Sequence, residues 1–346
     1  MKFLMVGLGS IGQRHLRNIK RVYGEEAQIL AYRVRRLQRT FSDTMQIRDG
    51  VNLEEEFGIR VFTDLEEALS EQPDFVFVTN PTNMHIDVAR AAVAHGCHVF
   101  LEKPISDDLT GVNELLAEAK EKNVTVFVGY QNRFHPGIRA IRECLAEKEL
   151  GKILSVRSVV GERLSTMHTY EDYKDTYMAR KDMGGGVVTN QLVHELDYLT
   201  FLFGKPEEIV AFGGATGNLG IDVEDVSDGL LRMKTDEGEE VPVSFHADFY
   251  QAPPSRFIKV VGEYGQIRAD LIQNTVTKTV RDVTTEMAFP EFQRNDMFIE
   301  ELKLFVDAAK SGSKPAISLE DGMLSLKMAL AIKKSMSEGG KSCGDF

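Results

Sequence analysis

Lys2-Phe3-Leu4-Met5-Val6 runs directly into Gly7-Leu8-Gly9-Ser10-Ile11-Gly12, a short apolar run followed by glycines spaced Gly-x-Gly-x-x-Gly. At a strand-to-helix turn this spacing has a physical use. One glycine permits the sharp bend, one lets backbone N–H groups approach a pyrophosphate, and one lets helix and strand pack closely. The helix that follows, expected over Ser10–Val22 with Ile11, Leu16 and Ile19 on one side, turns the partial positive charge of its N-terminus toward the anion. Context makes the pattern specific. Strands are expected at Lys2–Val6, Gln28–Tyr32, Ile59–Phe62, Phe75–Thr79, His98–Leu101 and Thr125–Gly129, with helices at Asn83–His95 and Leu109–Glu121 among them. Such β-α-β alternation predicts an α/β fold, a doubly wound parallel sheet of the Rossmann type over residues 1–128. A nicotinamide dinucleotide is expected on Gly7, Gly9, Ser10, Ile11 and Gly12.

The end of the second strand bears on NAD against NADP. A carboxylate there would bond the ribose 2′-hydroxyl of NAD and repel a 2′-phosphate. This chain instead has Tyr32-Arg33-Val34-Arg35-Arg36, with Arg39 close behind. Guanidinium groups pair bidentately with phosphate, so Arg33 and Arg36 point to NADP as the preferred cofactor, with NAD as the alternative. The competing reading makes these arginines the solvated start of a helix.

After Gly129 the rhythm changes. Strand candidates follow one another at Ile153–Val160, Glu208–Phe212, Gly229–Met233, Val241–Phe249, Phe257–Val261, Ile267–Leu271 and Thr275–Val280. Hairpin punctuation such as Asp236-Glu237-Gly238 and Glu263-Tyr264-Gly265 separates them, which predicts an α+β domain over 129–346 with a large, mostly antiparallel open sheet. Helices are expected at Gly186–Phe203, Asn295–Lys310 and Leu319–Met336.

With 346 residues and domains of about 150 residues, two domains are the natural reading. The net charge of −12 argues against nucleic acid or an anionic membrane as partner. No apolar stretch approaches the roughly 18 residues of a membrane span. Cys97, Cys144 and Cys343 lack C-x-x-C spacing, so neither a disulfide framework nor a structural zinc site is expected. With no room for a leader before the first strand, the expected location is the cytoplasm.

Two further stretches make a family resemblance visible. Phe75-Val76-Phe77-Val78-Thr79-Asn80-Pro81-Thr82-Asn83-Met84-His85 and Ala91-Ala92-Val93-Ala94-His95-Gly96-Cys97-His98-Val99-Phe100-Leu101-Glu102-Lys103-Pro104 resemble the Gfo/Idh/MocA dehydrogenases, a family that includes inositol dehydrogenase and glucose–fructose oxidoreductase. Val128-Gly129-Tyr130-Gln131-Asn132-Arg133-Phe134-His135-Pro136 is similar to the family's crossover segment. Gly184-Gly185-Gly186 through His194-Glu195-Leu196-Asp197 is similar to its second-domain helix.

The resemblance implies an NAD(P)-dependent oxidoreductase moving a hydride between nicotinamide and a secondary alcohol or ketone of a sugar, polyol or sugar derivative. It implies Lys103 and His194 as catalytic groups. Partial burial and the positive nicotinamide ring would both lower the Lys103 pKa and make it a proton relay as well as a donor. His194 would be the base on the hydroxyl, supported in relatives by a carboxylate four residues earlier. Here that position is Asn190, which orients an imidazole without stabilising imidazolium by charge.

Thr79, Asn80, Pro81, His85, Glu102 and Lys103 are implied as cofactor contacts, and Lys103, Asn132, Arg133, Asn190 and His194 as substrate contacts. The aromatic, hydroxyl-rich stretch Met167–Tyr177, which contains His168, suits sugar recognition or simple packing over the sheet. Arg133, Arg163 or Arg180 could serve an anionic substrate. No metal is expected, since the histidines show no H-x-x-x-H spacing and hydride transfer needs none. Two alternatives stay open: a reductase of an imine or conjugated carbonyl, and a non-catalytic dinucleotide-binding sensor. An open sheet without outer helices also predicts a homodimer or homotetramer.

Overall fold

The computed structural model describes residues 1–34, 40–42, 47–48, 50–167, 170–344 and 346. The chain forms two compact units. One comprises Met1–Tyr130 with Arg294–Met323, the other Gln131–Gln293 with Leu324–Phe346.

In the first unit the strands are β1 (Lys2–Val6), β2 (Gln28–Tyr32), β3 (Thr40–Phe41), β4 (Ile47–Arg48), β5 (Arg60–Phe62), β6 (Phe75–Val78), β7 (His98–Leu101) and β8 (Val126–Val128). Six of them form one sheet in the order β5-β2-β1-β6-β7-β8, every pair parallel, while β3 and β4 make a small antiparallel ribbon. The helices are α1 (Ser10–Tyr23), α2 (Leu53–Phe57), α3 (Leu65–Ser70), α4 (His85–Ala94) and α5 (Val112–Glu121). Residues Phe3–Val6 and Phe75–Val78 are buried on both faces of the sheet, as strands covered by helices on either side must be.

One expectation changes here. A second domain running unbroken from 129 to 346 misplaces residues 294–323, which pack with the first unit. The reason is aromatic. Phe75, Phe77, Phe100 and Phe127 stand together on the sheet, and Phe305 of α9 (Arg294–Ser311) meets all four edge-on or tilted, at centroid distances of 5.6–6.0 Å. Helix α9 also lies against α1, and Phe127 bridges to Ser318.

The second unit carries β9 (Ile153–Gly161), β10 (Lys205–Gly214), β11 (Val226–Lys234), β12 (Glu240–Asp248), β13 (Ser255–Gly262), β14 (Gly265–Asp270), β15 (Thr275–Val280) and β16 (Val283–Ala288). They form one sheet in the order β10-β11-β12-β9-β13-β14-β15-β16, antiparallel except where β12 meets β9. Helices α6 (Pro136–Ala146) and α8 (Val193–Phe203) pack against one another and against this sheet, and α7 (Leu164–Met167) is a single turn. Val241, Val243, Phe245 and Ala247 face the core, while Phe212 and Leu230 stand 59% and 63% exposed. Helix α10 (Leu319–Ser337) closes the element order, and Ser335 Oγ accepts from the Ala211 amide at 3.0 Å. No helix of the described residues is long and apolar enough to cross a membrane.

Candidate active site

The glycine turn after β1 is bent sharply at Gly7 and packed closely at Gly12. Gly7 sits at φ +94, and a Cβ there would stand 2.8 Å from the Thr79 carbonyl and the Asn80 nitrogen. At Gly12 a Cβ would strike the Gly7 carbonyl oxygen and come within 2.7 Å of Thr79 Oγ1, so helix and strand could not close. Gly9 differs, because a Cβ there would meet nothing within 4 Å. Gly9 is also the N-cap of α1, without a side-chain cap, and the first turn from Ser10 carries no acidic residue. The first amides of a helix lack intrahelical partners, so an uncapped, carboxylate-free start beside an open glycine suits a pyrophosphate. These residues fit a dinucleotide.

Several expected cofactor contacts do other work. Thr79 Oγ1 donates to the Gly7 carbonyl at 2.7 Å, with the Val6 carbonyl at 3.1 Å, so its hydroxyl braces the turn. His85 is buried with Nε2 2.8 Å from the Asn80 carbonyl and Nδ1 2.9 Å from the Pro104 carbonyl. The ring thus stands between the loop after β6 and the turn after β7, with one carbonyl of each within hydrogen-bond reach. Burial lowers the His85 pKa, the two carbonyls oppose that shift, and a neutral ring donates to only one of them. Asn80 Oδ1 is buried without a partner, an acceptor that a ligand hydroxyl would complete. Pro81 is exposed.

Arg33 is 7% exposed, and its Nη1 donates to Glu54 Oε1 at 2.9 Å. A carboxylate of α2 thus stands against the guanidinium that the sequence suggests for a 2′-phosphate. Arg36, with Arg35, Arg39 and His168, lies outside the described residues.

Lys103 follows β7 at the carboxyl edge of the parallel sheet, the edge on which the glycine turn follows β1. Ligands of doubly wound folds bind at that edge. The side chain is half-buried. Glu102, expected at the ribose, turns back into the protein. Its Oε1 lies 2.7 Å from His15 Nε2, and its Oε2 accepts from the Lys103 amide at 3.1 Å.

In the second unit the Gly184-Gly185-Gly186 turn leads into the helix bearing His194. Gly186 has φ +116, and a Cβ there would collide with the Glu224 carboxylate, whose Oε1 accepts from the Val188 amide at 3.3 Å. The expected α-helix over Gly186–Phe203 is regular only from Val193. Val188–Leu192 forms a π turn, an irregularity that often marks functional sites. Asn190 lies in that turn and His194 just beyond it, both buried, and Asn190 Nδ2 donates to Tyr177 Oη at 3.0 Å.

Arg133 does not stand free for substrate: Nε and Nη2 form a bidentate pair with Asp197 Oδ2 and Oδ1 at 2.9 and 2.7 Å. Its guanidinium also lies 4.9 Å from the Phe201 ring. Neighbouring Asn132 is buried with Nδ2 unpartnered. Two supports escaped sequence reading. Arg256 pairs with fully buried Glu195 at 2.7 Å, and Tyr198 Oη lies 2.8 Å from Ser158 Oγ. Burial beside Glu195 raises the Tyr198 pKa well above its ordinary value. Partners this far apart in sequence leave no local pattern.

A parallel sheet with an open glycine at its first turn is the arrangement of the dinucleotide-binding Rossmann class. The family described as an oxidoreductase family with an NAD-binding Rossmann fold matches residues 1–130, and the GFO/IDH/MocA C-terminal domain matches 138–268. The chain belongs to the GFO/IDH/MocA oxidoreductases. It is 28% identical to the myo-inositol 2-dehydrogenase of Thermotoga maritima over 98% of this chain and 97% of that protein. It is 24% identical to the D-xylose 1-dehydrogenase (NADP(+)) 2 of Haloferax volcanii, covering 82% of this chain and 85% of the relative. The WlbA dehydrogenase of Bordetella pertussis, solved with NADH and UDP-GlcNAcA, shares the fold with a TM-score of 0.80 at 20% identity, covering 100% of this chain and 99% of that one.

Proposed function

We propose that this oxidoreductase transfers a hydride between nicotinamide and a secondary alcohol carbon of a sugar or sugar-like polyol, with Lys103 and His194 as its catalytic residues. The observation that carries the reading is the turn after β7, where Lys103 stands at the ligand edge with its amide fixed by Glu102. The names of the inositol and xylose dehydrogenases support the substrate class. Bound dinucleotide supplies the hydride chemistry, held at Gly7, Gly9, Ser10, Ile11 and Gly12, with Asn80 at its ribose or nicotinamide. The Lys103 ammonium donates to the reacting oxygen and lowers the cost of alkoxide character there. His194 takes the hydroxyl proton in oxidation and returns it in reduction.

Asn190 donates to Tyr177, and as an amide it adds no charge at the position four residues before His194. Asn132 would complete the substrate contacts. NADP is the preferred dinucleotide if its 2′-phosphate takes over Arg33 from Glu54.

The exposed sheet face around Phe212, Leu230 and His246 is assigned to self-association as a homodimer or homotetramer. Free thiols at Cys97, Cys144 and Cys343 support a reducing, cytoplasmic setting.

The test is a panel of sugars, polyols and nucleotide sugars with NADP or NAD, read at the absorbance of reduced nicotinamide. Lys103→Met is expected to abolish turnover of any substrate found while NADPH binding, followed by fluorescence, persists. Turnover by that variant removes Lys103 from the reaction. A blank panel with tight NADPH binding moves the assignment to a keto-substrate reductase or a sensor.

A further inference from the structure

Behind the Lys103 turn, three polar side chains from three separate elements are enclosed together. His15 of α1, Glu102 after β7 and Glu301 of α9 are 0%, 6% and 0% exposed. One ring nitrogen of His15 and one carboxylate oxygen from each glutamate lie within 4.8 Å of one another. Phenylalanines wall the group in: the His15 ring stands 5.4 Å from Phe77, 4.8 Å from Phe100 and 6.0 Å from Phe298.

The two carboxyl groups are treated very differently. Glu102 is fully engaged, with Oε1 on His15 Nε2 and Oε2 on the Lys103 amide. Glu301 has no hydrogen-bond partner at either oxygen. The charged and titratable groups that face it are Glu102, His15 and Arg14, the last with its guanidinium over the Phe298 ring and its Nη1 donating to Asn295 Oδ1. Burial and the Glu102 charge raise the Glu301 carboxyl well above the ordinary range, Arg14 opposing.

An ionised carboxylate without a donor is among the costliest groups to bury, and a second negative charge nearby raises the cost further. A proton removes the charge, and with it the larger part of that cost, using only groups already in place. We propose that Glu301 is a neutral carboxylic acid and a positioning residue for the Lys103 turn, holding the proton that would otherwise compete for Glu102. If the proton sat on Glu102 Oε2, the Lys103 amide would lose its acceptor; on Oε1 it would force His15 Nε2 to accept and put the ring proton on Nδ1, which is buried without a partner. Kept on Glu301, it leaves Glu102 with both acceptors and ties the dinucleotide helix α1 to the turn that carries Lys103. The consequence for Lys103 rests on the reaction proposed above, whereas the protonation state of Glu301 does not.

Two measurements on the whole protein test the proposal without any substrate. Infrared difference spectroscopy of wild type against Glu301→Gln at neutral pH is expected to show a protonated-carboxyl band that the variant lacks. In wild type alone the band is expected to shift in heavy water, which needs no variant. The second measurement is Tm against pH. A carboxyl whose folded-state pKa lies above its unfolded value gives its full stability below the ordinary glutamate range and loses it as pH rises toward the folded value. Glu301→Gln lacks that loss, so the Tm of the variant minus that of wild type is expected to grow with pH from the ordinary glutamate range upward. A spectrum with no protonated band, or a Tm difference that is flat or falls with pH, overturns the proposal. So does one tightly bound divalent ion per chain by elemental analysis that Glu301→Gln releases. A blank sugar panel would leave all these readouts intact, so failure of the reaction and failure of this inference are distinguishable.

Discussion

Arg133 and Asp197 face one another as a two-bond pair with side chains 5% and 0% exposed, and this pair joins the turn at Gln131–Phe134 to helix α8. A guanidinium this deep cannot be left alone. Asp197→Asn is expected to cost about 3 kcal/mol or more in urea unfolding, because breaking one side of a buried pair leaves the other charge uncompensated. The double variant Arg133→Met with Asp197→Leu is expected to recover much of the loss. If Asp197→Asn costs less than about 1 kcal/mol, the range of exposed pairs, the pair is not the support its geometry implies.

The glycine turn separates binding from folding within three residues. Gly9 has φ −69, which any residue adopts, and its Cβ position is open, so Gly9→Ala is expected to keep the Tm close to wild type. Its methyl would stand where backbone amides approach a pyrophosphate, so NADH affinity by fluorescence titration is expected to fall about tenfold or more, roughly 1.4 kcal/mol. Gly12→Ala is expected to do the opposite first, lowering the Tm by forcing α1 away from the Gly7 carbonyl and Thr79. Unchanged NADH affinity in a well-folded Gly9→Ala protein would place the pyrophosphate elsewhere.

What the sequence disclosed follows from how local each signal is. Gly7, Gly9 and Gly12 act over six residues, so spacing alone placed their turn, and local apolar runs placed most of the longer strands along the chain, while the order in which those strands pair is set by contacts distant in sequence. Arg33 was harder. Its guanidinium can serve a phosphate or a carboxylate, and Glu54 lies 21 positions further along, beyond any helical or strand period. The motif around Thr79 and His85 suggests that they face a ligand, yet the polar atoms beside them are the carbonyls of Gly7, Asn80 and Pro104. Strand β16 was missed since its hairpin turns at Arg281 and Asp282, both at positive φ, where glycine or asparagine would have announced it. Glu301 reads in sequence as one more charge on an amphipathic helix, and only the packing of α9 over the phenylalanines buries it.

Cofactor preference depends on the Arg33–Glu54 contact. Removing the charge at Glu54 frees the guanidinium for a 2′-phosphate while leaving the glycine turn untouched. Glu54→Gln is therefore expected to raise the ratio of NADPH to NADH affinity several-fold, and Arg33→Ala to lower it, in paired fluorescence titrations. A ratio that neither substitution moves assigns the choice of dinucleotide to other residues.

His135 supplies the clearest acid sensitivity of the second unit. It is the N-cap of α6: Nδ1 accepts from the Gly137 amide at 3.0 Å, so Nε2 carries the proton and donates to Asn274 Oδ1 at 3.1 Å. Protonation at Nδ1 would destroy the cap. Burial, reinforced by the charge of Arg256 and opposed by the Asn274 contact, lowers the His135 pKa from 6.5 to about 4. Because the folded-state value lies below the unfolded one, the unfolded chain takes up the proton first as pH falls. The stability His135 contributes is thus complete above pH 6.5 and is lost on the way down to about pH 4. The loss is on the order of 3 kcal/mol over that window. Asparagine is a good N-cap with no titrating group, so His135→Asn is expected to unfold in urea like wild type at neutral pH and to be the more stable protein near pH 4. Parallel stability profiles of the two proteins across this range would show that the imidazole is not buried in its neutral form.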